Sequence, residues 1–214
     1  MTDRSGRPAP WYCDDLLMRI AVLSDVHGNL EALEAVLADV AAQQVEVTIN
    51  LGDLLSGAVQ PRETADRLLA LGLPTVSGNH ERQLLTLARE QMGAADRLAH
   101  DTVTDAHRAW LASLPLTLKV ADGVLAFHGS PTDDLTYLLE TVEETGARPA
   151  TRQEVRDRLG PYADGGSWSL LLCGHTHLQR ALPLPNGPLV VNPGQRRLAR
   201  VRRHGTAPAR DGGR

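Results

Sequence analysis

Five short clusters in this chain combine side chains that bind metal ions: Asp25-Val26-His27, Gly52-Asp53, Gly78-Asn79-His80, His128-Gly129 and Gly174-His175-Thr176-His177. Carboxylates and an amide oxygen suit hard cations, and imidazoles suit transition metals. A carboxylate such as Asp53 can bind one ion with each oxygen, and two ions held ~3.5–4 Å apart clamp the attacking and leaving oxygens of a displacement. Singly, each cluster is weak. Asp25-x-His27 fits a capping aspartate beside a surface histidine, Gly52-Asp53 a plain turn, and Gly78-Asn79-His80 a helix start. A structural zinc on His175 and His177 would want cysteine partners at short spacing, and Cys173 sits inside an apolar run. The order carries more than any member: each cluster directly follows a short apolar run, and five of the eight histidines fall within the set. His100, His107 and His204 fall outside it and are read as solvated or lid residues.

The elements that must position these clusters can be read from periodicity. Residues 19–23 and 45–51 read as buried strands, and Leu73 to Val76 as a third. Leu30 to Gln43 carries apolar residues at Leu30, Leu33, Val36, Leu37 and Val40, a helical period. Pro61 to Leu71 is a helix opened by proline. Glu81 to Arg89, a polar stretch after it, and Thr104 to Leu114 read as helices. Leu116 to Val120 and Val124 to Phe127 flank Ala121-Asp122-Gly123, a hairpin signal. Leu135 to Thr145 and Thr151 to Leu159 read as helices, and Trp168 to Leu172, Ala181 to Leu184 and Leu189 to Val191 as strands. Strand and helix alternate early and hairpins dominate later, so an α/β fold with a parallel sheet passing into antiparallel pairs is expected. The clusters then sit just past strand ends, where ligands bind in open α/β sheets.

The order and local spacing of the five clusters resemble the calcineurin-like metallophosphoesterases. The stretch from Met18 to Gly194 is similar to the small bacterial and archaeal phosphodiesterases of the YfcE-like group. The phosphoprotein phosphatase branch is set aside, because Ser77 stands where it has an arginine and Leu54-Leu55-Ser56-Gly57 follows Asp53 in place of its GDxVDRG motif. The resemblance implies a four-layer α/β/β/α sandwich and two divalent ions, manganese first, with nickel, iron, zinc or magnesium as alternatives. One ion would take Asp25, His27, Asp53 and His177. The other would take Asp53, Asn79, His128 and His175. His80 would not be a ligand but would protonate the leaving oxygen, and a metal-bridging hydroxide would attack phosphorus in line. The implied activity is phosphodiester hydrolysis on a small phosphoester substrate. The alternatives are a broad-specificity phosphomonoesterase on the same site and a non-catalytic scaffold like the retromer subunit of this fold. Trp110, Tyr137 and Leu138 are read first as packing residues and second as contacts for the leaving group.

Composition bounds the rest. The net charge of −4 hides a body of −10, because seven arginines and one acid follow Pro193. An acidic body disfavours nucleic acid as a partner, and a basic-tailed nucleic-acid binder is the reading set against it. No apolar run approaches a membrane span. Nothing before Asp15 resembles a secretory signal, and with Cys173 read as a buried free thiol and a bond to Cys13 disfavoured, a cytoplasmic protein is expected. A homodimer is the default assembly.

Two ends depart from the family pattern. Residues 1–17 are polar and aperiodic, and read as a disordered extension before a domain spanning 18–194. After Asn192-Pro193-Gly194 comes an arginine-rich tail, 195–214, where family members continue with GSVG and further strands. Codons for Gln195 to His204, read one base out of frame, can encode Gly-Ser-Val-Gly-Leu-Pro-Ala-Tyr-Asp-Asp. A frameshifted tail would leave the closing strands missing and a sheet edge unpaired.

Overall fold

The computed structural model describes residues 18–57 and 59–195, together with the backbone of 199–202. The proposed N-terminal extension, Cys13, His204 and the rest of the tail lie outside the described residues. The chain runs β1 (Arg19–Leu23), α1 (Leu30–Ala41), β2 (Val47–Asn50), α2 (Pro61–Leu71), α3 (Asn79–Thr86), α4 (Ala94–Thr102), α5 (Asp105–Ala112), β3 (Thr117–Ala121) and β4 (Val124–Phe127). It continues β5 (Glu140–Glu143), β6 (Gly146–Pro149), α6 (Arg152–Leu159), β7 (Leu170–Leu172), β8 (Arg180–Pro183), β9 (Leu189–Asn192) and β10 (Ala199–Arg202).

Two sheets face each other. The first has the order β10-β1-β2 and the second β3-β4-β7-β9-β8. In the second, β4, β7 and β9 run parallel, and β3 and β8 close its edges antiparallel. Alternation along each strand assigns the faces. Val124, Ala126, Leu170 and Leu172 point at the first sheet and pack on Ile20, Val22, Ile49 and Leu51. Leu125, Phe127, Leu171 and Cys173 point the other way, onto Leu138, Leu139, Val155 and Leu159. The outer side of the first sheet is covered by Leu33 of α1, Ala65 and Leu68 of α2, Leu84 of α3, Ala99 of α4 and Leu111 of α5. The four-layer α/β/β/α sandwich follows from these three apolar layers. Local signals set the helix ends. Asn29 Oδ1 accepts the Ala32 N–H at 2.9 Å to cap α1, and Gly72 closes α2 in the left-handed region.

Four readings change. Leu135 to Thr145 is not a helix; Glu140 to Pro149 form the β5–β6 hairpin, turning at Glu144-Thr145. Leu135, Leu138, Leu139 and Val142 have helical spacing, but only Leu138 and Leu139 are buried, while Val142 is 63% exposed. Burial of neighbours i and i+1 with exposure at i+4 suits a kinked loop entering a hairpin, not one face of a helix. Leu73 to Val76 makes a single bridge, Thr75 with Asn50, rather than a strand. His107 is buried, not solvated: its Nε2 meets Asp66 at 2.9 Å and its Nδ1 accepts the Thr104 N–H. Finally, β10 pairs antiparallel with β1 from Arg19↔Arg202 to Val22↔Ala199, at the edge expected to stand open. Ala199-Arg200-Val201-Arg202 alternates with a period of two, and an edge strand tolerates charge.

Candidate metal centre

All five clusters converge at one end of the two sheets. Asp25 and His27 leave β1, Asp53 follows β2, Asn79 and His80 open α3, His128 follows β4, and His175 and His177 follow β7. Asp25, Asp53 and His128 are almost wholly buried, Asn79 is buried, and His27, His80 and His175 are part-exposed. Three overlapping groups of donors form, with ligand atoms within 4.8 Å of one another: Asp25, His27 and His177; His27, Asp53 and His80; Asp53, His128 and His175. Asn79 joins the last through its Oδ1, 3.2 Å from His128 Nε2. Every candidate read from the sequence is therefore in one place, with Asp53 common to two groups.

Backbone carbonyls decide which ring nitrogens are free. A carbonyl only accepts, so His27 Nδ1 must donate to Ser56 O at 2.6 Å and His128 Nδ1 to Leu51 O at 2.7 Å. His175 Nε2 donates to Leu135 O at 3.1 Å. That leaves Nε2 of His27, Nε2 of His128 and Nδ1 of His175 as the ring nitrogens turned to the centre, able to bind a metal whenever their rings are neutral. His80 Nδ1 contacts Asp96 Oδ1 at 2.7 Å, so its Nε2 faces Asp53 Oδ2 at 4.0 Å.

The backbone is bent to make this convergence. Among the described residues, seven non-glycines have positive φ, and five of them are Asp25, His27, Asp53, His175 and His177. Such φ values are uncommon for side chains with a Cβ and cluster at functional sites. The bends need glycines beside them. A Cβ on Gly78 would lie 2.6 Å from Asp53 N, and one on Gly57 would overlap the His27 carbonyl oxygen.

Residues that no cluster announced hold the bends. Glu81, fully buried, accepts the N–H of Asp53 at 2.8 Å, of Leu54 at 2.9 Å and of Gly78 at 2.9 Å. Its placement three residues after the Gly78 cap is the signal that could have found it. Asn192 Nδ2 donates to Gly174 O at 2.6 Å and Thr176 Oγ1 at 3.1 Å, and Thr176 in turn bonds Glu140. Asp96 lies on α4, outside every motif. Of the residues read as secondary contacts, Leu138 is buried in the core and Trp110 packs between helices. Tyr137 is 43% exposed, its ring 4.9 Å edge-on from His175.

Electrostatics show what the donors fit. Burial opposes ionisation of Asp53, but His128 at 3.2 Å outweighs it and holds the carboxyl below the usual range. Burial likewise lowers His128, and Asp53 reverses this to raise it to about 9. His128 Nε2 faces two acceptors, Asp53 Oδ2 and Asn79 Oδ1, so with Nδ1 already donating it must carry a proton or meet a cation. His27 Nε2 faces His177 Nε2 at 3.1 Å, and the buried Asp25 Oδ1 has that same His177 Nε2 at 3.3 Å without a well-formed hydrogen bond. Burial lowers His27 and His175, whereas the Asp25 carboxylate raises His177. Ring nitrogens turned toward one another beside a buried carboxylate are costly unless a proton or a cation sits among them. Divalent cations fit this donor set of imidazoles, carboxylates and one amide oxygen.

Comparison with known proteins gives the family and the fold. The family model described as "Calcineurin-like phosphoesterase superfamily domain" matches residues 18–209. The uncharacterized protein MJ0912 of Methanocaldococcus jannaschii is 39% identical over 66 residues, 31% of this chain; the match spans 27% of that relative's length. The crystal structure of a metallophosphoesterase from Sphaerobacter thermophilus superposes with TM-score 0.63 at 24% identity, covering 84% of this chain and 77% of that one. The hypothetical protein PH1004 from Pyrococcus horikoshii superposes with TM-score 0.68 at 18% identity, covering 83% and 77%. Both share the fold. No described helix is long and apolar enough to cross a membrane. With the match running over nearly the whole described chain, the protein belongs to the calcineurin-like phosphoesterase superfamily.

Proposed function

We propose that this protein hydrolyses phosphodiesters at a two-ion centre bridged by Asp53. The observation that carries the reading is the position of Asp53, with His27 on one side and His128 and His175 on the other. Asp25, His27, Asp53 and His177 would hold one ion, and Asp53, Asn79, His128 and His175 the other. When bound, such ions supply Lewis acidity toward the phosphoryl oxygens and lower the pKa of water.

The chain's own groups do the rest. Hydrogen bonds from His27, His128 and His175 to carbonyls lock each ring's tautomer and angle. Glu81 fixes the Asp53 loop, and the Asn192–Thr176–Glu140 chain fixes the turn carrying His175 and His177. His80 touches the centre without being needed in either donor set, which suits it to donate a proton to the leaving oxygen. Arg82, two residues further along α3, binds Asp134 bidentately at 2.7 and 2.8 Å. Its charge is thus balanced within the protein, which favours a singly charged diester over a monoester dianion. Manganese is the proposed occupant, since the mixed oxygen and imidazole set suits it.

Titration of metal-stripped protein with manganese tests the centre. Two ions per chain, with an exchange-coupled spectrum that vanishes in Asp53→Asn, is the expected result. Binding of one ion only, or a coupled pair surviving Asp53→Asn, would refute the bridged centre.

A further inference from the structure

His80 is held by a residue that lies in none of the clusters. Asp96 is in the first turn of α4, 7% exposed, and its Oδ1 lies 2.7 Å from His80 Nδ1. A carboxylate only accepts, so Nδ1 carries the hydrogen and Nε2 is turned toward Asp53 Oδ2, 4.0 Å away. The ring of His27 stands edge-on to His80, centroids 5.2 Å apart, and limits rotation from the other side. The His80 backbone N–H donates to Asp53 Oδ1 at 3.0 Å, so main chain and ring are anchored independently. An acid in the first turn of a helix can simply offset the helix dipole. Here the carboxylate is buried and spends one oxygen on a side chain of another helix, which dipole compensation alone does not require.

We infer that Asp96 is a positioning residue for phosphoester cleavage, holding His80 in the tautomer and orientation that deliver a proton from Nε2 to the leaving oxygen. The inference rests on the phosphoesterase reading above. In the step, the bond from phosphorus to the leaving oxygen breaks and its electron pair stays on that oxygen. The Nε2–H bond of the His80 imidazolium breaks and the proton joins that oxygen, while the Nδ1–H···Asp96 bond persists. The attacking water contributes oxygen to phosphorus and its proton goes to solvent. His80 regains a proton from solvent, so the cycle closes without another reactant. The arrangement follows the logic of a carboxylate that orients a catalytic imidazole and stabilises its cation.

Leaving-group dependence separates positioning from plain structural support. General acids typically contribute ~10²–10⁴-fold, and only where the leaving oxygen needs the proton. Asp96→Ala is expected to lower kcat at least about tenfold on methyl phosphodiesters, with KM unchanged, yet to act little on p-nitrophenyl diesters. Asp96→Asn keeps an acceptor for Nδ1–H and should recover part of the loss; being isosteric, it also tests the idea if the alanine variant folds poorly. A second readout needs no turnover. Nitrogen NMR of ring-labelled protein should show His80 with Nδ1 protonated in wild type and Asp96→Asn, and largely Nε2 protonated in Asp96→Ala. Equal slowing of both ester classes, or a His80 tautomer unchanged in Asp96→Ala, would overturn the inference. An inactive wild type would count against the phosphoesterase reading instead, and the tautomer measurement would still decide the role of Asp96.

Discussion

Replacing Glu81 with glutamine asks how much one buried carboxylate contributes to the bent loop that carries Asp53. Glu81 Oε2 accepts two N–H groups, from Asp53 and Gly78, and Oε1 accepts one, from Leu54. A glutamine can turn its oxygen toward the pair, but its NH2 then meets the Leu54 N–H donor to donor. One buried N–H left unsatisfied costs about 1–3 kcal/mol, and two bonds that lose charge assistance cost roughly 1 kcal/mol each. Against this, burial and the Asp53 charge raise the pKa of Glu81, so removing its charge recovers part of the loss. The net expected is about 2 kcal/mol, which at ~2 kcal/mol per molar urea lowers the unfolding midpoint by about 1 M. Urea unfolding of metal-free wild type and Glu81→Gln, followed by fluorescence, measures it. Glu81→Ala strands three N–H groups and should not fold stably, since domains have only ~5–15 kcal/mol to lose. A midpoint shift under about 0.2 M in Glu81→Gln, at unchanged slope, would refute the claim that Glu81 holds the loop.

Further substitutions probe other parts of the frame. Gly57→Ala drives a Cβ into the His27 carbonyl and should cost ~1–3 kcal/mol as overpacking does, and weaken manganese binding; Gly166→Ala, whose Cβ meets nothing within 4 Å, should change neither. Glu140 is buried with Oε2 unpartnered, and burial raises its pKa above 4.5. The native state therefore keeps this proton to higher pH than the unfolded chain, so its contribution to stability is full below 4.5 and falls as pH rises through the raised value. Glu140→Gln should flatten that fall, read as urea midpoints of metal-free protein at several pH values above and below 4.5. Tyr137→Ala removes the exposed ring beside His175 and should raise KM for aryl diesters about threefold to tenfold, the worth of one aromatic contact, while leaving methyl diesters within about twofold.

Most of the strands, and the Asp, Asn and His residues that gather at their ends, were legible in the sequence for a shared physical reason. Buried strands such as Val124–Phe127 and Leu170–Leu172 read as apolar runs, and the fold aims whatever follows them at one end of the sheets. What the sequence concealed depends on contacts far along the chain. Leu135, Leu138, Leu139 and Val142 keep helical spacing, yet the hairpin forms because Leu138 and Leu139 are both drawn into the core. Asp96 reaches His80 across 16 residues and Asn192 reaches Gly174 across 18, with no local pattern to announce either. The His107–Asp66 pair spans 41 residues and hid in the same way. Glu81 is the intermediate case: its capping position is local, but its bonds to Asp53 and Leu54 are not.

The central claim is that these donors make a metal-dependent diester hydrolase bridged through Asp53. The most direct test is hydrolysis of bis(p-nitrophenyl) phosphate by metal-stripped protein, before and after manganese is restored, in wild type and Asp53→Asn. Turnover that is absent without metal, returns with it and stays absent in Asp53→Asn is the predicted result. Turnover that survives stripping, or that Asp53→Asn retains with manganese, would contradict the account.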